Sequence, residues 1–437
     1  MRHFRVFAMT PHETAAEMPG PILHLSRVVK RPLVDGTGER MGRVEDLIVR
    51  VGERPHPPIV GAVVRIGGRR LFVPISRITD LEDGRVRFQG GRVDLRHFER
   101  RPGELLLAED LLARHLINLV GGRLISAKEI ELAKVNGVWE VVGVDPSSRP
   151  TLRRLLPGRM GRNISPGSVV DWASIEPFVA HVPTARLRIP YRKLARLHPA
   201  QIADLVEAAS REEGEEIIDA VKADGELEAD VFEELDIDHQ AEFVRSMSDA
   251  EAARLLSRMA SDDAADLIME LDQERRIPVL DLLPALQQRK VRSLLSYNPE
   301  TAGGLMSPDF LALPDKTTVA GALSAIRLSA APLETLQVVF RLDDSGRVAG
   351  SVPLVSLIRA DPGDLLRSIA RAVSAHVHAD WDLHAVVRKM SDFNLTLVPV
   401  MDPEHHSILG VVTVDDVLEL LLPSGWRRDA GMSTAEE

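Results

Sequence analysis

The 437-residue sequence has no cysteine, and aromatic residues make up only 4% of it. The absence of cysteine excludes disulfides, thiolate zinc sites and a cysteine nucleophile, and it fits a reducing compartment. Nowhere do about 18 apolar residues follow one another, so the sequence predicts no transmembrane helix. Residues 1–21 are polar and lack the apolar core of a signal peptide. We therefore expect a cytoplasmic protein, with at most a peripheral position at a membrane.

Charge is unevenly distributed along the chain, whose formal net charge is −11. Residues 1–196 carry +12, residues 197–300 carry −16 and residues 301–437 carry −7. An acidic segment of this density repels itself and attracts cations. The alternative explanation, for any single carboxylate, is a solvated helical surface.

The N-terminal part has the pattern of short strands. The run 60–66 alternates in hydrophobicity, Gly67-Gly68 follows, and the run 71–75 alternates again, which is typical of a β-hairpin. The segment 101–196 repeats this pattern more weakly around Asn136-Gly137. Because several short strands need closure or cover for their edges, we expect two small β-barrels.

After residue 197 the pattern becomes helical. Apolar residues recur every 12 positions, at Leu235, Met247, Met259, Leu271 and Leu283. Such spacing predicts a stack of short helices that forms a small superhelix, with an ordinary helical bundle as the alternative. The sequence Ser248-Asp249-Ala250-Glu251 is a capping-box pattern, so a helix is predicted to begin near Ser248.

Residues 301–423 contain an internal duplication. The segments 339–356 and 398–416 each have a strand, a polar turn, a second strand and an amphipathic helix. The helical patterns that precede them, 319–328 and 383–390, also correspond. Each half is therefore predicted to form a β-α-β-β-α unit.

These patterns resemble known families. The duplication resembles a pair of CBS (cystathionine-β-synthase) domains, most clearly in the run GVVTVDD that begins at Gly410. The helical part resembles the intracellular N domain of the MgtE magnesium channels, at 197–205 and 261–267. The junction AGGLM, which begins at Ala302, is similar to that family's link into the CBS pair. The N-terminal units resemble PRC-barrel domains.

The resemblance implies a multidomain α+β protein without the family's five-helix membrane domain, before which this sequence stops. The expected parts are a disordered N-terminus (1–21), two PRC-barrel-like domains (22–100 and 101–196), an MgtE N-domain-like superhelix (197–300), a CBS pair (301–423) and a disordered tail (424–437).

The resemblance also implies a magnesium site. In the family, carboxylates of the helical domain and of the second CBS domain face each other, and Mg²⁺ bridges them. The corresponding residues of this sequence are Asp230, Asp262, Asp266, Asp416 and Glu419. Mg²⁺ prefers oxygen ligands and retains several waters, so converging carboxylates suit it. Two further acidic positions of the family are His384 and Asn394 here, which puts part of the metal set in doubt.

The CBS pair implies a second ligand, ATP or another adenine nucleotide. Thr413 and Asp416 stand where nucleotide-binding CBS domains contact phosphate and ribose hydroxyls. In the first repeat Pro353 and Ser356 occupy these positions, so at most one such site is expected. Asp416 belongs to both hypotheses, and one rotamer cannot serve both well.

The expected function is magnesium-responsive regulation linked to magnesium transport or homeostasis. An adenine-nucleotide sensor and a PRC-barrel adaptor that binds RNA or protein are the alternatives. A homodimer through the CBS pair is expected, and a membrane transporter or other protein is a candidate partner for the barrels. Nucleic acid is disfavoured because the basic part lacks interleaved aromatics. The sequence shows no convergent acid–base pair in a pocket context, so an enzyme is not expected.

Overall fold

The fold is given by a computed structural model, which describes residues 22–50, 54–81, 84–89, 96–147, 169–178, 191–373, 375–404 and 407–421. The two segments predicted to be disordered lie outside these residues. The chain divides into two compact units, Met1–Ala220 and Val221–Glu437. Among the described residues, no helix is both long and apolar enough to span a membrane.

The first unit is built mainly from short strands arranged in three sheets. The strands are β1 (Leu23–His24), β2 (Pro32–Val34), β3 (Arg40–Arg50), β4 (Ile59–Ile66), β5 (Arg69–Pro74), β6 (Ile78–Asp80), β7 (Val86–Phe88), β8 (Glu104–Leu106), β9 (His115–Asn118), β10 (Arg123–Ser126), β11 (Glu129–Val135), β12 (Val138–Asp145), β13 (Val170–Asp171) and β14 (Ile175–Pro177). The largest sheet has the order β5-β4-β3-β2-β7-β6, with β8 paired to β3. The others are β1-β11-β12-β13 and β10-β9-β14.

Both hairpins that the sequence indicated are present. The β4–β5 turn has positive φ at Gly67 and Gly68, and the β11–β12 turn has positive φ at Asn136 and Gly137. Two successive positive φ angles are those of a type I′ turn, whose twist suits a two-residue hairpin.

The prediction of two closed β-barrels is not confirmed. In the largest sheet, β5 and β6 are the two ends of the path, and no ladder among the described residues joins them. The strands also exchange partners across residue 100, because β8 pairs with β3 and β1 pairs with β11. Edge cover is achieved by this exchange of strands, which local alternation cannot reveal.

A regular stack of helices follows the sheets. Three helices come before the second unit or at its boundary: α1 (Tyr191–Leu194), α2 (Pro199–Ala208) and α3 (Arg211–Val221). The second unit begins with the part called the helical stack below, which consists of α4 (Gly225–Glu233), α5 (Ile237–Ser246), α6 (Asp249–Leu256), α7 (Ser261–Glu270), α8 (Gln273–Leu282) and α9 (Ala285–Leu294). From α5 to α9 the helices begin every 12 residues, as the sequence predicted, and α7 packs against both α5 and α9. Ser248 and Glu251 form the predicted capping box of α6.

Two repeats with the same order of elements follow. The first contains α10 (Ala302–Leu305), β15 (Leu311–Pro314), α11 (Val319–Leu328), β16 (Val338–Leu342), β17 (Val348–Pro353) and α12 (Leu354–Arg359). The second contains α13 (Leu366–Ile369), β18 (Val377–His378), α14 (Leu383–Phe393), β19 (Leu397–Met401), β20 (Ile408–Thr413) and α15 (Val414–Leu421).

The sheets of the two repeats have the same topology. In each, the first strand is parallel to the second and the third is antiparallel to it. The antiparallel ladders also shift register at the equivalent place, between Arg341 and Leu342 and between Val400 and Met401. The predicted duplication is therefore visible in the backbone pairing as well as in the order of elements.

Candidate metal site

The start of α7 carries Asp262, a half-buried carboxylate in acidic surroundings. Burial, followed by the negative charge of Asp416, raises the pKa of Asp262 to about 7, and Asp309 and Glu233 add to the repulsion. The second unit therefore brings Asp262 of the helical stack and Asp416 of the second repeat close enough for their charges to interact. A proton or a cation would relieve the repulsion between them.

Asp416 is positioned by the start of α15. The Thr413 N–H donates to Oδ2 of Asp416 at 3.0 Å, and the Asp416 N–H donates to Oγ1 of Thr413 at 3.4 Å. This reciprocal pair is a capping arrangement that satisfies two backbone donors. Burial raises the pKa of Asp416 against the lowering effect of these bonds. Because the cap uses Oδ2, a cation at this carboxylate would bind through Oδ1.

Glu233, at the end of α4, is a further acidic member. Its Oε1 accepts the N–H of Ala260 at 2.6 Å, at the residue that precedes α7. Burial raises the pKa of Glu233 to about 7, and the charges of Asp230, Glu234 and Glu334 contribute in the same direction. The exposed Asp230 therefore acts on this cluster through Glu233. The positive end of the α7 dipole favours the negative charge gathered there.

Asp309 joins the cluster from the loop between α10 and β15. Its Oδ2 accepts the hydroxyl of Ser261 at 2.7 Å, and its Oδ1 is bonded to the ammonium group of Lys290 on α9. The loop is fixed to β20, because Ser307 and Val411 exchange two backbone hydrogen bonds of 2.8 and 2.9 Å. The helical stack and the second repeat thus hold this loop from opposite sides.

Glycines of the AGGLM junction and of the run GVVTVDD allow the backbone segments to lie this close together. A Cβ at Gly410 would lie 2.8 Å from the carbonyl oxygen of Ser307, and a Cβ at Gly304 would lie 2.5 Å from backbone atoms of Asn298 and Pro299. Real Cβ atoms do not approach backbone this closely, so the junction and β20 need glycine at both positions.

The five carboxylates expected from the sequence are not all in one place. Asp266 lies on the exposed side of α7. The neighbouring protein partly removes its carboxylate from water, and this desolvation, followed by the charge of Glu270, raises the pKa of Asp266 to about 6. Glu419 belongs to α15, but its side chain lies outside what the structure describes. Of the five, Asp262 and Asp416 are the two whose charges interact, and Asp230 acts on the neighbouring Glu233.

Glu233, Asp309 and Lys290 were missed by the sequence reasoning. Two of them had a local signal. Glu233 is three residues after Asp230 and so shares its helix face. Asp309 closely follows the AGGLM junction. The charge of Lys290 gave no signal, because only the packing of α9 beside α7 brings it to this place.

The donor set suits a hydrated hard cation. Within the described residues of the second unit, no three carboxylate or imidazole ligand atoms lie within 4.8 Å of one another. A compact cage made only of protein ligands is therefore not formed. Mg²⁺ commonly binds one or two carboxylates and keeps several waters, which is compatible with Asp262 and Asp416.

The two departures from the family pattern have different surroundings. Asn394 ends α14 with φ of 51° and ψ of 54°, the left-handed conformation, and its backbone N–H closes the helix. Asparagine is one of the few residues that tolerate this conformation. His384 is exposed in the first turn of α14. Asn394 therefore has a backbone role that does not require a metal.

Comparison with known families agrees with this architecture. A model of the MgtE intracellular N domain matches residues 197–300, and a model of the CBS domain matches residues 366–423. The chain thus contains an MgtE-type helical domain followed by a CBS unit. The predicted resemblance to the intracellular region of MgtE is confirmed for these segments, whereas a PRC-barrel is not confirmed.

The individual proteins and solved structures that are similar to this chain include MgtE magnesium transporters. The magnesium transporter MgtE of Thermus thermophilus is 32% identical over 198 residues, which cover 44% of this chain and 43% of that protein. MgtE of Bacillus subtilis is 24% identical over 195 residues, with 44% and 43% covered. The chain therefore spans less than half the length of these relatives. A crystal structure of the cytosolic domain of the Mg²⁺ channel MgtE in complex with ATP matches with TM-score 0.49 and 29% identity, covering 53% of this chain and 93% of that one.

Proposed function

We propose that the chain is a magnesium-responsive regulatory protein, in which Mg²⁺ bridges the helical stack and the second CBS-like repeat. The observation that carries this proposal is the acidic contact at Asp262, where burial, followed by the negative charge of Asp416, raises the pKa of Asp262 to about 7. Paired carboxylates of this kind favour the arrangement only when a proton or a cation neutralises them. The similarity to MgtE transporters makes magnesium the cation of choice.

The proposed ligands have distinct parts in this account. Asp262 and Asp416 bind the metal, directly or through its waters. Asp230 and Glu233 add negative potential beside them. Asp266 and Glu419, expected from the resemblance, belong to a second, more peripheral set on α7 and α15. Mg²⁺ bound to Asp262 and Asp416 would favour the arrangement in which α7 lies against the second repeat.

The test is a Mg²⁺ titration of the full chain after removal of divalent ions with EDTA, followed by small-angle scattering. We expect the radius of gyration to fall as Mg²⁺ rises to about 10 mM, above the millimolar dissociation constants of weak oxygen-ligand sites. The D262N/D416N variant should be compact without Mg²⁺ and insensitive to it, because the repulsion between these two carboxylates is removed together with the proposed ligands. The control is E274Q, which removes one exposed carboxylate of the neighbouring helix α8.

Three outcomes would contradict the proposal. The first is a radius of gyration that does not change with Mg²⁺ in the unmodified chain. The second is a Mg²⁺ response of D262N/D416N equal to that of the E274Q control. The third is an equal effect of Na⁺ at matched ionic strength, which would indicate general screening and no site.

Adenine-nucleotide sensing is the second candidate. It is supported by the location of Thr413 and Asp416 together at the start of α15, where backbone N–H groups favour phosphate. Their reciprocal capping bonds compete with ligand contacts, so nucleotide binding would require Asp416 to leave the cap. Calorimetry with ATP, AMP and S-adenosylmethionine tests this, and T413A should abolish any heat of binding.

A homodimer through the CBS-like repeats is also proposed. Its support is the exposed apolar side chains on equivalent helices: Ile358 of α12 is 66% exposed and Leu418 of α15 is 46% exposed. Val355 and Leu421 extend these faces, at 65% and 48%. Sedimentation equilibrium should give twice the chain mass, and I358E/L418E should give the monomer.

The wider role is regulation of magnesium transport from the cytosolic side of a membrane, with a transporter or another protein as partner of the N-terminal sheets. This role is compatible with relatives that are magnesium transporters. Affinity purification from cells depleted of magnesium and from cells supplied with it should then recover a membrane protein in a magnesium-dependent amount. A yield that is independent of magnesium would contradict it.

A further inference from the structure

Lys290 brings a positive charge to Asp309, one of the acidic residues that act on Asp262. Its side chain is 27% exposed and that of its partner Asp309 is 18% exposed, so this ion pair is largely withdrawn from solvent. Ion pairs of this kind are screened less by salt than exposed ones. The pair joins α9 of the helical stack to the loop that leads into the first repeat.

Asp309 connects this cation to the proposed metal ligands. While Oδ1 binds Lys290, Oδ2 accepts the hydroxyl of Ser261, the residue that precedes Asp262 in α7. The Asp309 N–H donates to the hydroxyl of Ser307 at 3.4 Å, and that hydroxyl donates to Oδ1 of Asp262, also at 3.4 Å. A short chain of hydrogen bonds therefore runs from the ammonium group to the carboxylate of Asp262.

Among the groups named at this contact, negative charges outnumber positive ones. Glu233, Asp309 and Asp416 all act on Asp262 as negative charges, and Lys290 is bonded to one of the three. Neutralising Asp309 lowers the repulsion at Asp262, because Asp309 is one of its causes. Lys290 thus does part of what a bound divalent cation would do.

We propose that Lys290 is a built-in counter-cation, which holds the helical stack against the second repeat in the absence of metal and so limits the response to Mg²⁺. The arrangement in which Asp262 and Asp416 are neighbours is called the closed arrangement below. The magnesium part of this inference rests on the proposed function, whereas the metal-free part does not. The effect is regulatory. The charge at position 290 determines the fraction of chains that are already closed without metal, and therefore the fraction that Mg²⁺ can still close.

The test compares K290M with the unmodified chain by small-angle scattering, first in EDTA and then with added Mg²⁺. Methionine keeps much of the length of the side chain and removes its charge. We expect K290M to be more expanded in EDTA, with the ratio of open to closed chains raised at least about tenfold, the order for one charge-assisted hydrogen bond. Saturating Mg²⁺ should then produce a larger compaction in K290M than in the unmodified chain.

Three companion variants separate charge from folding. R292M removes a cation from the same helix, where Arg292 pairs with Asp281 at 2.6 Å, and it should behave as the unmodified chain. K290R keeps the charge and should keep the metal-free closure. K290M/D309N removes both partners and should return the compactness in EDTA towards that of the unmodified chain. Circular dichroism of each variant checks that the helices are retained.

The outcomes distinguish this inference from the proposed function. If K290M in EDTA is as compact as R292M, or if D309N does not rescue it, the role of Lys290 is overturned whatever Mg²⁺ does. If K290M is expanded in EDTA and Mg²⁺ compacts neither chain, the Lys290 contact stands and the magnesium function fails. If Mg²⁺ compacts both chains equally, Lys290 does not limit the response and the regulatory part is overturned.

Discussion

Single residues in this chain carry information that the family pattern alone does not. Asp262 is acidic where the resemblance requires it, and the negative charge of Asp416 acts on it. Asn394 departs from the pattern, and its left-handed backbone supplies a reason for that departure. Lys290 was not expected, yet it is the cation bonded to the loop beside the candidate ligands. Local sequence could identify the first two residues, whereas the third depends on packing between helices.

The raised pKa of Asp262 predicts a dependence of stability on pH. The value is about 7 in the fold against 3.8 for an unperturbed carboxyl, so the folded chain binds a proton here between about pH 4 and 7 that the unfolded chain releases. Without divalent ions, stability from this group is therefore gained as pH falls through that window and lost as pH rises. At pH 8, D262N should raise the free energy of unfolding by up to about 4 kcal/mol, because the pKa is about three units higher in the fold and each unit corresponds to about 1.4 kcal/mol.

The measurement is denaturant unfolding of D262N and the unmodified chain at several pH values in EDTA. The difference between them should vanish near pH 4, where Asp262 is protonated in the fold and is therefore as uncharged as asparagine. A difference that is constant with pH, or a D262N variant that is less stable at pH 8, would refute the assignment. E274Q serves again as the control for loss of one negative charge.

The backbone at Asn394 gives a second residue-scale prediction. Its φ of 51° costs most residues about 1–2 kcal/mol, and glycine adopts it freely. Thermal unfolding should therefore show N394G close to the unmodified chain, and N394V destabilised by about 1–2 kcal/mol, the cost of this conformation. Equal stability of the two variants would mean that α14 can end in another conformation.

At the scale of elements, the sequence predicted what depends on local periodicity. The 12-residue spacing of helices α5 to α9, the capping box at Ser248 and both type I′ hairpins were predictable because each is decided within a few residues. The duplication of the C-terminal repeats was predictable for the same reason. Barrel closure was not confirmed, because the exchange of β1 and β8 between sheets depends on pairing between distant segments.

Asp46 of β3 supports one of these distant pairings, the one between β3 and β8. This carboxylate is 3% exposed, and it accepts the N–H groups of Leu47, Ala108 and Glu109 at 2.7 to 2.8 Å. Burial raises its pKa to about 7. It therefore fixes the turn after β8 against β3 by hydrogen bonds, next to the ladder that β8 itself forms with β3.

Loss of this acceptor should be costly. D46A leaves three N–H groups without their partner, one in a buried and two in half-buried hydrogen bonds. Because a buried donor left unsatisfied costs about 1–3 kcal/mol, a loss of about 2 kcal/mol or more is expected. D35A is the matched control, because Asp35 accepts the N–H groups of Thr37 and Glu39 in an exposed turn where water can replace it. Urea unfolding should show a much larger loss for D46A; similar losses would contradict the role of Asp46.

At the scale of the whole molecule, the two units have opposite characters. The first is rich in arginine, and much of that charge is paired internally, for example Arg70 with Glu109 at 2.8 Å and Arg100 with Asp110 at 3.0 Å. The second gathers carboxylates at the start of α7 and α15. The acidic balance of residues 197–300 could be read from the sequence, but which carboxylates meet could not, because this depends on how the stack packs against the repeats.

The central claim is that Asp262 and Asp416 together bind a divalent cation. Its most direct measurement is an anomalous-diffraction map of crystals of the full chain grown with Mn²⁺, which prefers the same oxygen ligands as Mg²⁺ and can be located by its own signal. The account predicts one anomalous peak between α7 and α15, within direct or water-bridged reach of both carboxylates, and its disappearance in D262N/D416N crystals. A map with no peak there, or a peak that persists in the double variant, would contradict the account.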